Sequence, residues 1–121
     1  MAPTGPHVLL VEDETAVALL VEDMLAELGC TSQSAWRVPQ ALEMAERDPI
    51  DLAVLDVNVA GQSILPVAEA LRRRGTPFIF ASGYGSGGAP AGFPGVPVLT
   101  KPFAATELAA AMRRASGGKS S

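Results

Sequence analysis

Four strand-like runs in this chain, His7 to Val11, Leu52 to Leu55, Phe78 to Ala81 and Val98 to Thr100, lead directly into polar side chains: Glu12 and Asp13, Asp56, Ser82 and Lys101. Segments with helical spacing lie between them. Strand alternating with helix calls for a parallel sheet, because parallel neighbours need a long crossover to connect them. In an open parallel sheet the strand ends gather at one edge and face a shared crevice. Side chains distant in sequence then meet, and here they are three acids, one ammonium and one hydroxyl.

Between Thr15 and Leu28, the residues Val17, Leu20, Val21, Met24, Leu25 and Leu28 recur at offsets of three and four, which predicts a helix with one apolar stripe, ended by Gly29. A weaker strand is expected around Thr31 to Ala35. Pro39 near a first turn, with Ala41, Leu42 and Ala45 facing inward, marks a second helix that Pro49 stops. Leu52 to Val57 is almost continuously apolar, as suits a central strand covered on both faces. From about Ser63, Ile64, Val67, Ala68 and Leu71 give a third helix, which Gly75 and Pro77 terminate. Residues 83–97 then hold six glycines and three prolines. At about 1 and 3 kcal/mol each, these residues forbid a helix, so a long loop is expected where one was due. A last helix over Ala104 to Ala115 turns Leu108 and Met112 inward, and Gly117 to Ser121 reads as a frayed tail.

With 121 residues and 48% hydrophobic content, the chain suits one domain spanning 1–121, its core at about 7–115. Cys30 is the only cysteine, so no internal disulfide forms. The N-terminus lacks the basic and apolar pattern of a secretory signal, and a cytoplasmic location is expected. Glu22, Asp23 and Glu27 interrupt the longest apolar region, which excludes a membrane-spanning helix there. A formal net charge of −4 argues against binding nucleic acid. Arg72 to Arg74 is the dense basic run. It reads as a helix C-terminus, whose partial negative charge attracts cations, with docking of a partner as the alternative.

Each candidate site residue has an ordinary explanation: Asp13 as a helix cap, Asp56 and Ser82 as turn residues, Lys101 as a solvated lysine. Their coincidence at four strand ends outweighs those readings. Clustered carboxylates repel unless a cation joins them, and oxygen donors without His or Cys favour Mg²⁺. The expected ligands are Asp13, Asp56 and the Asn58 backbone carbonyl, with Glu12 acting through water. Asp56 is the natural nucleophile toward phosphorus, forming a mixed anhydride, while Mg²⁺, Lys101 and Ser82 neutralise the phosphoryl oxygens.

These residues resemble the receiver domain of two-component response regulators from Val8 to about Ala115, through Val11-Glu12-Asp13, Leu55-Asp56-Val57-Asn58, Ser82 and Thr100-Lys101-Pro102-Phe103. The resemblance implies a flavodoxin-like, doubly wound α/β fold with five parallel strands in the order 2-1-3-4-5. It also implies Mg²⁺ dependence, a cis bond before Pro102, and phosphorylation of Asp56 by a histidine kinase or histidine phosphotransfer protein. The chain would be a phosphoacceptor with slow autodephosphorylation, not an enzyme with its own substrate, acting as a stand-alone regulator and as a monomer or weak dimer. Val98 stands where many receivers carry a switch aromatic. Pro77-Phe78-Ile79-Phe80-Ala81-Ser82-Gly83-Tyr84 is similar to the signature of a mostly single-domain subgroup, for which ordering of the loop at Gly83, Tyr84 and Pro102 would carry the switch and HWE-type kinases would be donors. The segment after Asp56 lacks the proline that many receivers place there.

Three other readings compete with this one. Gly83-Tyr84-Gly85-Ser86-Gly87-Gly88 fits a dinucleotide fingerprint but has no helix after it to receive a pyrophosphate. A phosphatase of the haloacid dehalogenase type would carry its nucleophile on the first strand, whereas Asp56 lies mid-chain. An interaction module that keeps the fold without phosphorylation is the third.

In receivers, the position two beyond Ser82 borders the path of hydrolytic water, and Tyr84 stands there. Substituting Tyr84→Ala is expected to shorten the lifetime of the phosphorylated protein, followed as decay of the phosphoryl adduct.

Overall fold

The computed structural model describes residues 5–83, 90 and 92–117. β1 (His7–Val11) is followed by α1 (Thr15–Glu27), β2 (Thr31–Ala35), α2 (Val38–Arg47) and β3 (Leu52–Asp56). A small hairpin of β4 (Asn58–Val59) and β5 (Gln62–Ser63) precedes α3 (Leu65–Arg74), β6 (Phe78–Ser82), β7 (Val98–Thr100) and α4 (Ala105–Gly117). Five strands form one parallel sheet in the order β2-β1-β3-β6-β7, the expected doubly wound arrangement. Chain order reverses between β1 and β3, which puts the crevice of such a fold at the ends of those two strands.

Alternation of side chains across the sheet divides the core in two. Leu9, Val11, Ala53, Leu55, Phe78 and Phe80 pack with Ala41 and Ala45 of α2 and Val67 and Leu71 of α3. Val8, Leu10, Val54, Ile79 and Ala81 pack with Ala18, Val21 and Leu25 of α1 and Leu108 and Ala111 of α4. Both faces are covered, which is why β1, β3 and β6 are nearly continuous in apolar residues. At the edge, β2 is polar and half-buried, and its side chains find partners. The His7 ring bonds Thr31 Oγ1 at 2.7 Å and Gln33 Oε1, and Gln33 Nε2 donates to Asp48 at 2.7 Å.

The apolar stripe expected of α1 is corrected in part. Ala18, Val21 and Leu25 form its buried seam, while Leu20 is 52% and Leu28 38% exposed. Leu20 lies about 100° around the helix from Val21, at the margin of what a helix on a sheet can cover. Asp13 is also not the cap of α1: Glu14 is, without a side-chain cap bond.

Among the described residues of 83–97 there is no helix. Phe93 instead enters the core, its ring edge-on to Phe78 and Phe80 with centroids 5.8 Å apart. Arg72 fastens it from outside, its guanidinium carbon 4.3 Å from the Phe93 centroid and its Nη1 donating to the Gly92 carbonyl at 2.9 Å. Arg74 Nη1 donates to the carbonyls of Ala45 and Asp48 at the end of α2, at 2.6 and 2.9 Å. Arg72 and Arg74 thus serve the fold as well as the helix terminus they occupy.

Phe93 fills the core beside Phe78 and Phe80 from a stretch whose described residues form no helix. Phe93→Ala is expected to lower stability by about 3–5 kcal/mol, read as the shift of the urea unfolding midpoint at unchanged slope.

Candidate functional site

The last residues of β1, β3, β6 and β7 bring Glu12, Asp13, Asp56, Ser82 and Lys101 to one edge of the sheet. β1 stays in register past its end because the Glu12 amide donates to the Ala35 carbonyl at 3.1 Å. Trp36, the single tryptophan, follows Ala35 and is 40% exposed. On the other side the Val57 amide donates to Ala81 at 3.0 Å and the Lys101 amide to Ser82 at 2.8 Å. The peptide bond between Lys101 and Pro102 is cis, as expected.

Glu12, Asp56 and Ser82 are the buried polar side chains among the described residues. Lys101 Nζ joins the two acids, donating to Glu12 Oε1 at 3.0 Å and to Asp56 Oδ2 at 3.3 Å. Glu12 Oε2 accepts from the Glu14 amide at 3.0 Å. Asp13 lies outward, and its Oδ2 accepts from the Ala60 amide at 3.0 Å. One carboxylate oxygen from each of Glu12, Asp13 and Asp56 lies within 4.8 Å of the others. The solvated-turn reading of Asp56 therefore fails.

The electrostatics follow from burial. Loss of water pushes the Asp56 carboxyl above its usual range and the Asp13 charge adds to this, against the pull of the Lys101 ammonium and the Asn58 amide. Burial likewise raises Glu12, against the Glu14 amide and Lys101. For Lys101, burial works against its charge, but the bond to Glu12 and the charges of Asp56 and Glu12 outweigh it and hold the ammonium above its ordinary value. Three ionised carboxylates against one ammonium leave two negative charges uncompensated. An all-oxygen donor set short by two positive charges fits a hard divalent cation.

Asn58 opens β4 two residues after Asp56, its amide 3.5 Å from Asp56 Oδ1. Gly83 is exposed beside Ser82, whereas Tyr84 and the rest of 84–89 lie outside the described residues. Glu14, Val17, Leu20, Met24, Lys101 and Pro102 contribute to a groove of about 430 Å³ next to this edge, which gives the exposed Leu20 a place at the site.

Sequence reasoning missed Ala60. The loop after Asp56 is a two-residue hairpin whose central residues, Ala60 and Gly61, have φ of 52° and 81°. Positive φ at both positions is the requirement of a type I′ turn, normally met by Asn-Gly or Asp-Gly. The available signal was Gly61, and alanine before it hid the turn. Held in this left-handed conformation, Ala60 directs its amide at Asp13 and so orients one of the three acids.

Comparison with known proteins agrees with this geometry. A family model described as a response regulator receiver domain matches residues 8–113. The regulatory protein VanR of Enterococcus faecium is 35% identical over 77 residues, covering 63% of this chain and 33% of VanR. The chain spans no more than about a third of the curated relatives it matches. Among solved structures, SdrG from Sphingomonas melonis Fr1 is 38% identical with a TM-score of 0.81, over 94% of this chain and 98% of that one. The receiver domain of the sensor histidine kinase PA1611 from Pseudomonas aeruginosa PAO1, solved with a magnesium ion in its active site cleft, is 27% identical with a TM-score of 0.81, over 94% and 99%.

The turn beside the acids is open to improvement. Ala60→Asn is expected to stabilise the protein by about 1 kcal/mol, seen as a rise of a few degrees in the thermal midpoint, because Asn tolerates the left-handed backbone that Ala resists.

Proposed function

Since the chain belongs to the response regulator receiver family of two-component signalling, we propose that it accepts a phosphoryl group on Asp56 from the phosphohistidine of a histidine kinase or phosphotransfer protein. The observation that carries this reading is the Lys101 ammonium spanning Glu12 and Asp56, with a third carboxylate within 4.8 Å. A buried acid at the end of a central strand is an expensive feature for a fold to retain without a chemical use.

In the proposed transfer, one Asp56 oxygen forms a bond to phosphorus as the phosphorus–nitrogen bond of the donor breaks, and the imidazole leaves with the electron pair. Mg²⁺, when held by Glu12, Asp13, Asp56 and Asn58, supplies charge neutralisation for the phosphoryl oxygens. Lys101 already hydrogen-bonds Asp56 Oδ2 and can pass to a phosphoryl oxygen without leaving Glu12. Ser82, buried at the end of β6, offers a hydroxyl on the same side. Ala60 keeps Asp13 aimed at the cluster. The reaction is mainly alignment and charge compensation, which a rigid rim of strand ends provides. The magnesium ion in the PA1611 receiver supports Mg²⁺ as the cation here. The Pro77 to Tyr84 motif supports donors of the HWE type.

Incubation with acetyl phosphate and MgCl₂ is expected to add one phosphoryl group, stable to acid and labile to base, mapped by mass spectrometry to Asp56. Chelation of the metal and Asp56→Asn should each abolish it. An adduct that survives Asp56→Asn, or steady turnover of a small phosphate ester, would overturn the assignment.

A further inference from the structure

Five of the nine basic side chains, Arg72, Arg73, Arg74, Arg113 and Arg114, stand in the closing turns of α3 and α4. α3 crosses over from β3 to the parallel β6 and so finishes at the edge remote from Asp56, and the end of α4 lies there too, since Arg114, Ala115 and Ser116 share a groove with Gly75 to Phe78. Helix termini attract cations, but that term is satisfied within the first or last turn by a residue or two and does not account for such a number in an acidic chain. Between the two helix ends lies a groove of about 620 Å³ with Pro77, Phe78, Phe93 and Val96 on its walls and Arg72 and Arg114 flanking it. Among the described residues no acid lines it.

The two arginines keep their charge available. Arg72 rests on Phe93 and bonds the Gly92 carbonyl, while its acidic neighbour Glu69 is 3.8 Å away with both side chains 53% exposed, a contact that neutralises little. Arg114 is exposed and has no acidic partner among the described residues. One guanidinium belongs to α3 and the other to α4, with apolar walls between. Solvated cations on separate helices do not make the converging, dry clamp that a single phosphate needs. They suit negative charges spaced along a chain with an apolar side chain between them.

We propose that this groove receives an acidic segment of a partner protein, which lays an apolar side chain against Pro77, Pro94 and Val96 and carboxylates against Arg72 and Arg114. A net charge of −4 repels such a segment from most of the surface, so charge directs it to this edge. Because the groove lies across the molecule from Asp56, the proposal does not rest on phosphorylation.

The test uses the whole chain, labelled with ¹⁵N and unphosphorylated, titrated with a synthetic peptide of about a dozen residues in which Glu and Asp alternate with Leu. A counterpart with Lys at every acidic position serves as the control. Saturable shifts confined to the amides of Thr76, Phe78, Phe93 and Val96 are expected for the acidic peptide alone. Binding should weaken about tenfold in Arg114→Glu and on raising NaCl from about 50 to about 300 mM. The Arg114→Glu change touches only an exposed side chain, so its spectrum elsewhere should be unchanged, and its phosphorylation by acetyl phosphate should be too. No saturable shift, equal shifts around Arg37 and Arg47, or displacement of the peptide by inorganic pyrophosphate would overturn the proposal.

Discussion

The chemistry of this molecule depends on an electrostatic imbalance that the sheet holds in place. Carboxylates from the ends of β1 and β3 are withdrawn from water next to one another, and among the described residues Lys101 from the end of β7 is the ammonium that reaches Glu12 and Asp56 together. Left to relax, the acids would turn outward. They cannot, because the strands beneath them are buried on both faces and tied by ladder hydrogen bonds up to the last residue. The fold stabilises the imbalance with core packing far from it, and the site is therefore prepared for positive charge before any arrives.

Much of this was legible in the sequence because the forces involved write themselves in simple patterns. Strands covered on both faces must be apolar throughout, and β1, β3 and β6 are. A parallel sheet must expose its strand ends along one edge, and so the acids, Ser82 and Lys101 could be brought together on paper. The edge strand β2 was faint for the complementary reason: with one side unpaired it carries Thr, Ser and Gln, whose stability comes from hydrogen bonds such as that between His7 and Thr31. Leu20 misled because a stripe wider than the sheet can cover looks the same as a seam that fits it.

What stayed hidden was conformational or long-range. Nothing about Ala60 in isolation announces a positive φ, since the turn is imposed by the pairing of Val59 with Gln62 and by the pull of Asp13 on the amide. Phe93 sits among glycines and prolines, where an apolar residue usually signifies little. Only the three-ring contact with Phe78 and Phe80 reveals it as a core residue. Arg72 pins it from outside, over its ring and through the Gly92 carbonyl.

Trp36 has a practical significance beyond its place in the fold. It is the sole indole in the chain, partly open to solvent, and its preceding residue holds the backbone of Glu12. Light emitted by an unlabelled sample thus originates beside the strand that carries the acids, so the molecule comes with a native optical gauge one peptide bond from the strand pairing that supports its chemistry.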